Sequence, residues 1–244
     1  MPSSAPAILF LPEGYQTTQA DLMGLRVANR SFLQGLIRHG GLNTLHGYAP
    51  YAPQQASTAF EQLARDLGAR MPICVIEGHR LDQLAVVGGL LIPDPNLAAF
   101  ARHRSFLGSH AYTLTGLTHA PVISMMADLA VAPIQPWDAL VCTSRAVASA
   151  LEEVLGAEEA RLAERLGATR FPRPLLPVIP LGVDVADFTS REEWRAAWRE
   201  RLGIAAEEVV ALYVGRLTRH GKAHPLPMLA ALGRAARSLW QYLL

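Results

Sequence analysis

The sequence predicts an α/β protein built on a parallel sheet, and two observations predict it. Short apolar runs punctuated by Gly and Pro alternate with longer stretches of helical period, which is the pattern of strands joined by crossover helices. Half of the 244 residues are apolar and 18% are charged, enough material for one large or two unequal globular domains. There is no internal repeat and no low-complexity tract.

The first strand is expected at 7–11, Ala-Ile-Leu-Phe-Leu, ended by Pro12-Glu13-Gly14. From 25 to 37, Leu25, Ala28, Phe32, Leu33, Leu36 and Ile37 share one helical face, and Gly40-Gly41 stops the helix. His39 then sits at the carboxyl end of that helix dipole. Further strands are expected at 42–48, 72–76, 86–92, 111–117, 139–142, 176–179 and 209–214, with helices at 57–67, 96–106, 144–155 and 158–166. Either Thr143 or Ser144 can cap the 144–155 helix.

A domain boundary is expected near Pro180-Leu181-Gly182-Val183-Asp184, giving domains 1–182 and 183–244. The second starts with Ser190-Arg191-Glu192-Glu193, a capping-box pattern, after which Trp194, Ala197, Trp198 and Leu202 line one face. One strand, 209–214, and one helix, 227–243, follow. A single strand cannot build a two-faced parallel sheet, and a unit this small rarely supplies enough core. Three readings compete: a truncated product or fragment, which leads, a small appendage packed on the first domain, or a half completed by another chain.

The net charge is +1 with His neutral, and no long run of like charge occurs, so a nucleic-acid partner has little support. Cys74 and Cys142, each inside an apolar run, read as lone buried thiols in a reducing compartment. The N-terminus lacks a basic segment with a long apolar run, and no stretch has the length of a spanning helix. The expectation is a cytoplasmic protein, with peripheral membrane contact left open.

The strongest local chemistry is Val214-Gly215-Arg216-Leu217-Thr218-Arg219-His220-Gly221-Lys222, where an apolar run opens into a loop with two Gly and several cations before a helix. Backbone N–H groups at such a turn attract anions, and Arg and Lys match a diphosphate. An ordinary solvated loop is the alternative. His119 follows a strand-like run and is expected at the carboxyl edge of the sheet, where α/β proteins bind ligands. His220 and His224 are four apart, but Gly221 and Pro225 break a helix there, which argues against a metal site.

Pro177-Val178-Ile179-Pro180-Leu181-Gly182-Val183-Asp184, then Phe188, Trp198-Arg199-x-x-Leu202-Gly203, Leu212-Tyr213-Val214-Gly215-Arg216-Leu217 and Lys222, resemble the interdomain segment and second-domain opening of glycosyltransferase family four. Ala111-Tyr112-x-Leu114-x-Gly116-x-Thr118-His119 and the segment from Gln135-Pro136-Trp137-Asp138 to Ser144 resemble a bacterial subset of that family. The resemblance implies GT-B architecture: a Rossmann-like N-terminal domain with a parallel sheet, and the truncated start of a second Rossmann-like domain. It implies a retaining, metal-independent enzyme that needs no cofactor. A sugar would move from a nucleotide-sugar to a glycan, lipid or small-molecule acceptor.

On that resemblance Gly215, Arg216 and Lys222 bind the donor diphosphate, His119 is the catalytic-site residue that contacts the transferred sugar, and Glu13 and Gly14 form a substrate loop. That loop departs from the paired glycines of many members, and Lys222 is followed by Ala223 where many have Gly. The family's Glu-x7-Glu element, which grips the donor ribose and sugar, falls beyond Leu244, so this chain alone is expected to be inactive. A noncatalytic acceptor-binding or assembly domain is the other reading. A dehydrogenase is disfavoured because no G-x-G-x-x-G follows the first strand.

Overall fold

The computed structural model describes residues 5–17, 24–119, 123–183, 185–215 and 224–242. The chain divides into two compact units, Met1–Val185 and Ala186–Leu244.

The first unit alternates strands and helices. In chain order they are β1 (Ala7–Leu9), α1 (Gly24–His39), β2 (Leu45–Ala49), α2 (Pro53–Asp66), β3 (Ile73–Glu77), α3 (Leu81–Val87), β4 (Gly89–Ile92), α4 (Leu97–Arg104), β5 (Thr113–Thr118), α5 (Ile123–Asp128), β6 (Ala139–Cys142) and α6 (Arg145–Leu166). The six strands make one all-parallel sheet in the order β3-β2-β1-β4-β5-β6. This is a Rossmann-like α/β fold.

Alternation along each strand sends side chains to two separate cores. Ile8, Phe10, Leu45 and Leu91 meet Leu33 and Ile37 of α1 and Phe60 of α2 on one face. On the other, Leu9, Tyr48, Leu90 and Leu114 meet Leu97 and Ala101 of α4 and Leu151 of α6. All three residues of β1 are buried, as the central strand of a sheet covered on both faces requires. Two strand glycines admit the helices closely: a Cβ on Gly47 would lie 2.7 Å from the Phe60 ring, and one on Gly116 would overlap Leu97 Cδ1.

Several sequence expectations need correction. Val86 and Val87 belong to the end of α3, where Gly88, at φ 84°, donates its N–H to the Leu84 carbonyl and ends the helix before β4 begins. The 144–166 segment is one continuous helix, because Gly156 is tolerated inside it, and Ser144 Oγ accepts the Val147 amide at its start. At 176–179 there is no full strand. Residues 175–179 run parallel to β6 through isolated bridges at Leu175 and Val178, and Pro177 has no N–H to extend the ladder. Cys142 is buried, whereas Cys74 is exposed on the edge strand β3.

The second unit contains α7 (Glu192–Leu202) and α8 (Pro225–Tyr242). The expected strand at 209–214 is absent: these residues are irregular and exposed, with Val209 99% accessible. No neighbouring strand among the described residues offers a ladder. Ser190 is not the cap of α7; the helix starts one residue later behind Arg191, which makes no side-chain capping bond and stacks over Trp194 at 4.4 Å. Gly203 closes α7 at φ 65°, and Arg199 Nη2 donates to the carbonyls of Ala205, Ala206 and Glu208. The Trp198-Arg199-x-x-Leu202-Gly203 signature therefore acts locally, ending the helix and bracing the turn after it.

Candidate functional site

The strand order reverses between β1 and β4, and the chain leaves these two strands toward opposite faces, into α1 and α4. Backbones that diverge in this way open a crevice at the carboxyl ends of the strands. A cavity of about 340 Å³ lies there. It is bordered by Leu11, Glu13 and Gly14 after β1 and by Pro93 and Asp94 after β4. A more open groove of about 560 Å³, beside α5 and α6, has no strand-end residue in its lining. Its Asp128 and Glu158 are already paired with Arg102 and Arg161.

Local hydrogen bonds fix the wall of the crevice. Pro12–Gly14 forms a 3-10 turn, closed by Gly14 N–H to the Leu11 carbonyl at 2.9 Å and Tyr15 N–H to the Pro12 carbonyl at 3.1 Å. The Tyr15 ring packs 5.1 Å from Phe10, and its hydroxyl donates to the Leu9 carbonyl at 3.1 Å. Burial pushes the Tyr15 phenol well above the usual range, so it stays protonated and keeps donating.

Asn29, on α1, is 5% exposed and lines the cavity. Its Nδ2 donates to the Gly14 carbonyl at 3.2 Å. A carbonyl only accepts, so the amide nitrogen must face it and Oδ1 must face the other way. That oxygen has no hydrogen-bond partner among the described residues. Across the crevice, Asp94 Oδ1 accepts the Asn96 amide at 2.9 Å.

His119 directly follows β5, at the carboxyl edge of the sheet. Both ring nitrogens are buried, and neither makes a hydrogen bond among the described residues. Burial lowers its pKa below the ordinary histidine value, while the Asp94 carboxylate and the nearby Pro93 carbonyl oppose that shift without reaching hydrogen-bond geometry. The ring is therefore neutral at pH 7 and offers one donor and one acceptor. The preceding Thr118 is fully buried and its Oγ1 is also unpartnered among the described residues.

No protein-family model, curated protein or solved structure matches this chain.

Of the residues singled out in the sequence, Glu13 and Gly14 share the cavity lining. His119 is not part of that lining and is linked to it through its interactions with Asp94 and Pro93. Gly215 lies in the second unit, where a Cβ would come within 2.8 Å of the Tyr213 hydroxyl. Arg216, Lys222 and His220 lie outside the described residues. His224 Nδ1 accepts the Leu226 amide at the start of α8. Among the described residues no group of three His, Cys, Asp or Glu side chains is placed to hold a metal ion, and no helix is long and apolar enough to cross a membrane.

Sequence reasoning missed Asn29 and Asp94. The signal for Asn29 was present, because it occupies the apolar stripe of α1 between Leu25 and Leu33, where a polar residue needs a reason. Arg104 was missed in the same way, at a core position of α4 following Leu97 and Ala101. It pairs with Asp138 of the Gln135-Pro136-Trp137-Asp138 segment, through Nη1 to Oδ1 at 2.6 Å and Nη2 to Oδ2 at 2.7 Å, with both side chains fully buried. Asp138 also accepts the Leu114 and Gln135 amides. This segment holds β5, α4 and β6 together.

Proposed function

We propose that the chain belongs to a glycosyltransferase of family-four type and GT-B architecture, which moves a sugar from a nucleotide-sugar to an acceptor held mainly by the first unit. The observation that carries this reading is the order and spacing of the sequence elements from Pro177 to Lys222. The all-parallel sheet, its crevice at the strand reversal, and His119 at the sheet's carboxyl edge are compatible with it.

In this reading Arg216 and Lys222 neutralise the charge that builds on the departing nucleoside diphosphate, so they bind the transition state more strongly than the ground state. Gly215 opens the backbone for the phosphates. His119, neutral, donates to a hydroxyl of the transferred sugar. Glu13 and Gly14 border the acceptor side. No metal is needed when two cations carry the leaving group.

The test is donor turnover and nucleotide binding by the 244-residue protein and by a version extended with a complete second domain, across uridine, guanosine and adenosine diphosphate sugars. Arg216→Ala and Lys222→Ala in the extended protein are each expected to lower kcat/KM by about 100-fold or more, the usual scale for removing a group that stabilises transition-state charge. Unchanged kinetics in both variants would remove the diphosphate assignment.

A second reading is favoured by one observation: among its described residues, the second unit has no buried side chain. A noncatalytic acceptor-binding or assembly domain needs no donor pocket. Acceptor binding by the chain with no nucleotide binding, even in the extended protein, would select it.

A further inference from the structure

The two edges of the sheet in the first unit are finished differently. Beyond β6, residues 175–179 run alongside and close the edge: Leu140 N–H donates to the Leu175 carbonyl and Cys142 N–H to the Pro177 carbonyl, both at 2.8 Å. Beyond β3, no strand pairs among the described residues. β3 pairs with β2 without a break from Ile73 to Glu77, so its outer side is regular. Leu45 N–H donates to the Pro72 carbonyl, which sets the phase of the ladder. The backbone groups of Cys74 and Ile76 therefore face β2 as well, and those of Ile73 and Val75 face outward. Exposed edges are ordinarily blunted by Lys, Pro or a bulge. The run Ile73-Cys74-Val75-Ile76 has none of these.

We infer that this edge joins a second copy of the chain, β3 against β3 and antiparallel, with the twofold axis at Cys74. The strand is complementary to itself in that register. Ile73 of each copy lies opposite Val75 of the other, and each such pair exchanges both backbone hydrogen bonds through the groups that face outward. The opposed side chains are apolar and β-branched, a favourable cross-strand match. An axis at Val75 would instead set Ile73 against the carboxylate of Glu77. A parallel sheet accepts an antiparallel strand at its edge. The two Cys74 residues form the non-hydrogen-bonded pair on the axis, with Cα atoms about 4.5 Å apart, within disulfide reach. The inference rests on the sheet of the first unit and not on the glycosyltransferase reading.

Sedimentation equilibrium of the whole chain under reducing conditions tests this. A reversible monomer–dimer equilibrium is expected, with a Kd on the order of tens of micromolar, because one strand edge is a small interface. Diamide, which takes the two electrons and two protons of a thiol pair, should then lock the dimer. Of the two cysteines, Cys142 is 0% exposed and Cys74 is exposed, so the bond forms at Cys74. Cys74→Ser should abolish the cross-link and leave the equilibrium unchanged. Val75→Pro removes an N–H that faces away from β2, a position where an edge strand tolerates proline. It should weaken the dimer at least about tenfold, since each copy loses a hydrogen bond, and slow the cross-link with it. Cys74→Lys is the second variant should Val75→Pro fail to fold: its side chain is exposed, and it sets two like charges against each other on the axis. It should also leave a folded monomer.

A chain that stays monomeric up to about 0.5 mM, well above that Kd, would overturn the inference and leave the edge to some other partner. A dimer indifferent to both Val75→Pro and Cys74→Lys would overturn it too, by placing the contact elsewhere. Cross-linking that is as fast in Val75→Pro as in the unmodified chain would reduce the Cys74 bond to random collision. A dimer that both variants weaken but diamide does not lock would overturn the register centred on Cys74.

Discussion

The two units contain similar kinds of residues and use them differently. In the first, Leu33, Phe60, Leu90, Leu97 and Leu151 disappear between sheet and helices. In the second, Trp194, Trp198, Leu202, Val209, Leu212 and Val214 are exposed. Apolar surface stabilises a fold only when a second layer covers it, at roughly 25 cal/mol per Å² buried. The first unit has a sheet to receive helices on both faces; the described residues of the second have helices and no sheet. What holds the latter is local: the Arg199 clamp, the Gly203 cap and the Arg191 and Arg201 stacks on Trp194 and Trp198.

This contrast predicts a gradient of mutational sensitivity. Asp138→Asn should have the largest effect, because it leaves the fully buried Arg104 guanidinium without its counter-charge. A loss of about 3–5 kcal/mol in urea unfolding is expected, the scale for breaking a buried pair. A loss below about 1 kcal/mol would mean that the pair does not organise the first unit.

Gly116→Ala comes next. The added methyl would overlap Leu97 Cδ1 and approach Leu140 Cδ1 to 2.9 Å inside the core. Overpacking of this kind costs about 1–3 kcal/mol, read as a lower thermal midpoint. An unchanged midpoint would show that α4 can move off the sheet.

Protonation gives a prediction of defined sign. Burial lowers the pKa of both His46 and His119 relative to the ordinary value of 6.5. Just below that value the unfolded chain binds more protons than the folded one, so stability falls as pH drops through it. His119→Gln should flatten the slope, measured as urea midpoints on either side of the ordinary histidine pKa. A steeper slope in the variant would mean that Asp94 outweighs burial.

The smallest effect is expected at Val209→Ser. Val209 is 99% exposed, so its loss should change stability by less than about 0.5 kcal/mol. A larger destabilisation would break the comparison by showing that the side chain is covered in solution.

Most of the first unit was legible because its periods are clean. The β1 run, the apolar stripe of α1 ended by Gly40-Gly41, and the Ser144 cap each express a local rule that the fold obeys. The errors have local causes too. Val86-Val87 reads as strand until Gly88 in its left-handed conformation separates α3 from β4. The 209–214 run has strand composition, but β propensity is realised only beside a neighbouring strand. Of the candidate site, Glu13 and Gly14 were visible as a break after β1. Asn29 was marked only as a polar residue in the apolar stripe of α1 and Asp94 not at all, since they are far apart in the chain and border one cavity only through the strand reversal.

By itself the sequence determined the α/β class, the crossover pattern and the identity of the charged loop from Gly215 to Lys222, because side-chain period and turn chemistry are properties of neighbouring residues. Tertiary structure alone decided the strand order, the burial of the Arg104–Asp138 pair and which residues border the crevice. Those depend on which distant segments share a wall, and no local period encodes that.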